Sequence, residues 1–332
     1  MSREFMLAAS IAELSTMPHP APILLLLFAA GTALAQGTTR YEGLCDASAA
    51  VALDAKHFAV ASDEDNTLHV FERGQPQARA TLPLGAFLRG GKDEADLEAA
   101  TRIGERIYWI GSLGRDGKGR PAPQRDRFFA TDIDRGNSPP SLRPVGAGPV
   151  RLLDALLASE AGRAWQLAEA ARKAPEAPGG LNVEGMTHTD DGRLLIGFRN
   201  PLREGKALVV PLRNPAQAID GQPPQFGAAL ALDLGGRGVR AMTRVADGYL
   251  LVGGPTADDG SFFLFHWRGG SDTPQRLQQP ALGTLRPEAL FGWPGTPQLQ
   301  LLSDDGGIER QGKACKKLPA AQQAFRSLSF ER

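Results

Sequence analysis

Short apolar runs rich in Val, Ile, Leu, Phe and Tyr recur along the chain, and Gly, Pro and Asp-Gly turns separate them. Runs of four to eight such residues, bounded by turn signals, read as strands rather than helices. Five segments carry two or three runs each. The first holds "YEGLCDASAAVAL", "HFAVASDED" and "TLHVFER"; the second "DLEAATRIG", "RIYWIGSLG" and "RFFATDI". The third holds "NVEGMTHT", "RLLIGFRNP" and "ALVVPLR", and the fourth "GVRAMTRVA", "GYLLVGGP" and "FFLFHWR". The fifth holds "RPEALFGWP", "QLQLLSDDG" and, after an insertion, "RSLSFER". Fourth strands fit in "AALALDLGG" and "SLRPVGAG".

Aligning the segments puts Glu42, Glu98, Glu184, Arg240 and Glu288 at one position, with spacings of 56, 86, 56 and 48 residues. Repeats of this length with three or four strands match propeller blades. The expected architecture is all-β: a single β-propeller of about five four-stranded blades, with a degenerate sixth having room in 72–95 or 305–325. A pair of β-sandwiches is the competing architecture. The 86-residue step contains "VRLLDALLASEAGRAWQLAEAARKA", where Leu153, Leu156 and Leu157 have i, i+3, i+4 spacing. That periodicity predicts a helical insertion at 150–173, ended by "PEAPGG" and anchored by Trp165. The C-terminal "FRSLSFER" is expected to pair with the N-terminal "GTTRYEG", which would leave no open sheet edge.

In a propeller, the approach to each innermost strand and the hairpin between the second and third strands lie on one face. The anchor residues would therefore ring the channel mouth. Around them would stand the second-strand ends "SDEDN", "GSLGRD", "GFRNP", "GGPTADD" and "SDDGG". Candidate ligand-binding residues are Glu42, Asp63, Asp65, Glu98, Arg115, Glu184, Arg199, Asn200, Arg240, Glu288 and Asp304. Like charges brought together raise one another's pKa and repel, so a carboxylate ring needs a cation, an arginine or hydrogen bonds to offset it. Two readings are open: a ligand site for a small polar or anionic molecule or a partner, or acids that cap the inner strands by accepting backbone N–H bonds. The insertion, on the same face, would serve as a lid or as packing. The oxygen-rich run Asp63–Asn66 suggests Ca²⁺, but it lacks the Gly and distal Glu of an EF-hand loop and also reads as a solvated hairpin tip.

Composition narrows the picture. Among 332 residues, 37 Lys plus Arg balance 37 Asp plus Glu, so no global field steers the chain to nucleic acid or an anionic membrane. No G-x-S-x-G or phosphate-binding loop occurs, and His57, His69, His188 and His266 lack zinc spacing. "APILLLLFAAGTALA" is too short for a comfortable membrane span and ends in Ala33-Leu34-Ala35. It predicts a signal peptide over 1–35, with an N-terminal membrane anchor as the competing reading and Met17 as an alternative start, and a domain over 36–332. The expected mature protein is a periplasmic or secreted monomer. Cys45 and Cys315 form either one disulfide or two buried thiols.

The motifs "EGLCDASAAVAL", "SDEDN", "DLEAA…RIYWIGS", "LNVEGM", "DGRLLIGFRNP", "LDLGGRGVR" and "LLSDDG" occur in order over roughly 40–310. With them the chain resembles a bacterial family catalogued as domain of unknown function 3616 (DUF3616). The resemblance implies a propeller-like β fold and brings no established activity. A looser similarity, through the Glu-Gly-Leu run, points to phytase-like propellers, some of which bind calcium and cleave phosphate esters. It implies Ca²⁺-assisted phosphate-ester or carboxylic-ester hydrolysis as the alternative function. The acidic clusters do not follow that pattern closely, so no catalytic or metal residue is carried over.

Overall fold

The structure, a computed structural model, describes residues 38–62, 64–89, 93–257 and 259–332. The expected signal peptide and Asp63 lie outside the described residues. Five four-stranded antiparallel sheets form the blades of a propeller. From the channel outward, blade 1 runs Ala49–Ala52, His57–Ala61, Thr67–Glu72 and Ala78–Pro83. Blade 2 runs Leu97–Ile103, Arg106–Gly111, Phe128–Asp134 and Ser141–Val150. Blade 3 runs Asn182–His188, Leu194–Arg203, Lys206–Leu212 and Leu230–Leu232. Blade 4 runs Gly238–Val245, Gly248–Gly254, Phe263–Trp267 and Gln275–Arg276. Blade 5 runs Pro287–Gly292, Gln298–Ser303 and Ala324–Glu331, then takes Thr38–Glu42 as its outermost strand.

That last pairing closes the ring from both chain ends: Thr38 sits opposite Leu328 and Glu42 opposite Ala324. No sixth blade forms from the described residues of the two intervals that had room for one. The 72–95 interval supplies the outer strand of blade 1, and 305–325 carries only a two-residue hairpin.

The inner strands touch in ring order, and one hydrophobic cluster fills each blade–blade interface. Trp109 and Phe129 pack between blades 1 and 2 with Leu68 and Val70; Tyr41, Phe58, Phe71, Phe291 and Phe325 pack where blade 5 meets blade 1. In a propeller both faces of each sheet are covered by neighbours. The strands consequently read as continuous apolar runs rather than clean alternation.

The predicted single helix over 150–173 is instead three short helices, Leu153–Ala158, Glu160–Ala164 and Leu167–Ala170. Ser159 has extended backbone and caps the second helix, its Oγ accepting from the Gly162 N–H at 3.0 Å. Gln166 takes the left-handed conformation, φ 53°, at the second break. Leu156 and Leu167 are buried against blades 2 and 3, and half-buried Trp165 packs on the same cluster.

Candidate functional site

Four of the five inner strands contain a β-bulge at the residue the repeat singles out. The ladder skips from Leu97 to Ala99, Val183 to Gly185, Val239 to Ala241 and Pro287 to Ala289. The residues left out of register are Glu98, Glu184, Arg240 and Glu288. A bulge re-aims its side chain, and all four line the same cavity at the channel mouth.

Glu42 is the exception and corrects the alignment of the first repeat. It ends the outermost strand of blade 5, half-buried, and accepts from Gln77 Nε2 at 2.5 Å. The inner strand of blade 1 is Ala49–Ala52, and the position equivalent to the acids belongs to Ser48, which is buried with its Oγ unpaired.

The cavity has a volume of about 440 Å³. Among the described residues its wall holds nine carboxylates and five cations. Beneath it the channel narrows between Ser48, Glu98, Glu184 and Met186, then reopens as a separate mouth on the other face. His188 lies at that second mouth, its Nδ1 2.9 Å from Thr101 Oγ1, away from the acids.

The centre of the site is an ion network. Arg199 Nη1 donates to Glu184 Oε1 at 3.0 Å, and Asn182 Nδ2 donates to the same oxygen at 2.9 Å. Arg240 Nε approaches Glu184 Oε2 at 2.5 Å, while Arg240 Nη2 donates to Glu288 Oε1. Arg240 also lies under the Phe262 ring, 5.4 Å from its centroid. Burial works against the Arg240 charge, but Glu184 and Glu288 outweigh it and raise its pKa further. Burial also pushes Glu288 up to about 8 against the pull of Arg240, with Asp304 and Glu184 adding to the rise. The two directions are compatible: a single guanidinium charge is divided between two carboxylates, so the arginine stays ionised while Glu288 retains a proton near neutral pH.

A second acidic group comes from blade 1 and the blade 5 insertion. Burial, then the charge and hydrogen bond of Asp304, then Glu64, push Asp46 up to about 8. Asp304 is set by its own N–H donating to Arg286 O at 2.8 Å and by accepting from the Gly306 N–H at 2.7 Å. Gly306 is required here because a Cβ would come within 1.5 Å of Asp46 Oδ1. Lys316 pairs with Glu64 at 2.6 Å, and Arg125 with Asp96 at 2.7 Å. Burial raises Asp96 despite Arg125 and Ser112, and burial together with Glu64 and Asp96 raises Glu94. Cys45 and Cys315, each directly preceding a cavity residue, are joined in a disulfide.

Of the residues expected at the mouth, Glu98, Glu184, Arg199, Arg240, Glu288 and Asp304 line the cavity together. Asp65 does not. It is exposed at a hairpin tip and accepts from the Thr67 N–H at 2.8 Å, while its neighbour Glu64 turns inward. Arg115 and Asn200 face the insertion instead. Arg115 donates to Ala171 O at 2.8 Å and Gly119 O at 3.0 Å, and Asn200 to Pro175 O at 2.9 Å and Ala177 O at 2.8 Å. Backbone carbonyls thus take up both side chains. The end of the insertion, Pro175 and Glu176, reaches the rim. Asp46, Asp96, Asn182 and Arg286 also line the cavity, and the repeat does not single them out, although each stands two residues before Ser48, Glu98, Glu184 or Glu288. Among the described residues, no group of three or more His, Cys, Asp or Glu is arranged to hold a metal ion.

Residues 159–286 match the model of a family described as Protein of unknown function (DUF3616), a shorter span than the motifs cover. No curated protein matches the chain. Among solved structures, the chain is similar to Myxococcus xanthus glutaminyl cyclase, at 9% identity over 89% of this chain and 95% of that one, TM-score 0.46. It is also similar to the PQQ-bound aldose sugar dehydrogenase of Streptomyces coelicolor, at 11% identity over 89% and 99%, TM-score 0.41. A GH43 protein mutant from Bacillus licheniformis is similar at 9% identity over 80% and 50%, TM-score 0.46. At these values the likenesses carry no argument about chemistry.

Proposed function

We propose that this propeller is an exported protein that holds a small molecule rich in hydrogen-bond donors, hydroxyl or ammonium groups, in the cavity at its channel mouth. The observation that carries the reading is Asn182. The residue is 4% exposed, lines the cavity, donates through Nδ2 to Glu184, and leaves its Oδ1 without a partner. A buried amide oxygen left unpaired costs about 1–3 kcal/mol, and a ligand donor would recover that cost.

Charge supports the same class. Arg125, Arg199, Arg240 and Lys316 each already face a carboxylate, whereas Asp46 and Asp304 face each other. An anionic ligand, the other expectation from sequence, would enter a wall where carboxylates outnumber cations. Calcium-assisted ester hydrolysis is the alternative reading, and the Ca²⁺ arm below tests it. The Cys45–Cys315 bond supports an oxidising compartment.

Thermal melts with spermidine, glucose, inorganic phosphate and Ca²⁺ in separate arms test this, using wild type and Asn182→Leu. A ligand at a hundred times its Kd adds about 2.7 kcal/mol. The expected result is a Tm rise with spermidine or glucose that shrinks in the variant. A rise confined to phosphate or Ca²⁺, one unchanged in the variant, or none in any arm overturns the reading.

A further inference from the structure

On the side of blades 4 and 5 the acid cavity shares part of its wall with a neighbour. A second cavity of about 510 Å³ lies between these blades, and Phe262 and Arg286 belong to the walls of both. Its character is opposite to that of the first. Leu277, Pro280, Ala281, Leu282 and Leu285 give one stretch of its wall an apolar surface, and Phe262 separates it from Arg240 by one ring. Its charged lining is Asp259, Arg276 and Arg286. Arg286 is exposed and makes no ion pair among the described residues. Arg276 lies over the Phe263 ring at 3.4 Å and Arg237 lies over the same ring at 4.3 Å; neither has a carboxylate partner among the described residues. The molecule thus presents, in sequence, a wall of carboxylates, an apolar stretch and guanidinium groups that make no ion pair among the described residues.

We propose that the two cavities form one bipartite site for a small zwitterion with an apolar middle, the chemistry of a short apolar peptide with free termini. The proposal rests on the reading of the acid cavity given above and narrows its donor group to an ammonium. The α-ammonium sits among the carboxylates and donates to Asn182 Oδ1 and neighbouring acids. The apolar side chains lie along Phe262, Leu277 and Leu285. The terminal carboxylate meets Arg286 or Arg276, where a bidentate guanidinium–carboxylate pair is among the stronger polar contacts available. Burying one leucine-sized side chain in the groove adds about 1.5–3 kcal/mol.

The test is isothermal titration of the full protein with trileucine, N-acetyl-trileucine and trileucine amide, with spermidine alongside. Ala281→Trp fills the groove from an exposed position, so it leaves the blade core and the acid cavity unchanged. Trileucine is expected to bind, and acetylation and Ala281→Trp each to weaken it about tenfold or more, with a smaller loss on amidation. Spermidine binding, in contrast, is expected to survive Ala281→Trp. Spermidine binding without trileucine binding overturns the bipartite site and leaves the cavity reading standing. Trileucine binding indifferent to both amidation and Ala281→Trp also overturns it. Failure of both probes overturns the two readings together.

Discussion

Asp46→Asn isolates the electrostatic cost built into the cavity. Asp46 is 4% exposed, and burial, with Asp304 beside it, raises its pKa from the ordinary 3.8 to about 8. One pKa unit corresponds to 1.36 kcal/mol, so ionising Asp46 in its buried place beside Asp304 costs about 6 kcal/mol at most. The sign follows from proton counting. Between about pH 4 and pH 8 the folded state holds a proton that the unfolded chain has released, so stability falls as pH rises through that window and levels off above it. Asparagine keeps the shape and still donates a hydrogen bond to Asp304, but it has no charge to lose. Urea denaturation of wild type and variant at pH 4.5, 7 and 9 measures the difference. The variant is expected to gain on wild type by up to about 1.4 kcal/mol per pH unit and to be the more stable protein by several kcal/mol at pH 9. Glu288, Glu94 and Asp96 titrate in both proteins and cancel in the comparison. Parallel stability curves, or a variant weaker than wild type at pH 9, would refute the shared-proton account.

Three further outcomes follow from the same geometry. Arg240→Met leaves Glu184 and Glu288 without the cation between them and should cost about 3–5 kcal/mol, less at pH 5 than at pH 9 because Glu288 protonates with a raised pKa; a loss below 1 kcal/mol in urea denaturation contradicts it. The disulfide spans 270 residues, so Cys45→Ser combined with Cys315→Ser should lower unfolding free energy by about 2–5 kcal/mol, and equal stability would show that strand pairing alone closes the ring. Gly238→Ala puts a Cβ 1.9 Å from the Arg199 carbonyl oxygen, a backbone atom that cannot swing aside; a drop in unfolding free energy of about 2–3 kcal/mol is expected from overpacking, and wild-type stability would place the Arg199 backbone elsewhere.

Much of the fold was legible because β-runs and turn residues report locally. The five blades, the closure by Thr38–Glu42 and the position of the insertion all follow from such signals. What failed were signals that imitate one another. "YEGL" looks like "NVEGM", so Glu42 was aligned with Glu184, but the true inner strand "AAVA" follows with small residues and no charged anchor. The insertion keeps helical spacing within each piece, whereas the breaks at Ser159 and Gln166 depend on how it folds back on blades 2 and 3. Arg115 and Asn200 were placed on the right side of the molecule, yet which carbonyl captures a side chain is a tertiary fact. Glu64, Glu94 and Lys316 reach the cavity from loops far apart in sequence, and no spacing rule could join them.

One signal was readable and overlooked, and it bears on whether the acids merely cap strands. Asp46 precedes Ser48 by two residues, Asp96 precedes Glu98, Asn182 precedes Glu184 and Arg286 precedes Glu288. All these leading residues reach the cavity. At the fifth position Gly238 leaves a gap, because the Arg199 backbone occupies that space. A cap needs one acceptor per strand end. Here four blades supply a second polar group, four inner strands interrupt their ladders to turn the anchor toward the channel, and burial, with neighbouring acids adding to it, raises the pKa of Asp46 and Glu288. Strand capping explains neither the second tier nor the placement of Asp46 against Asp304; both features support the proposed ligand, whose donors would meet Asp46 and Asn182 and whose acceptor would meet Arg286.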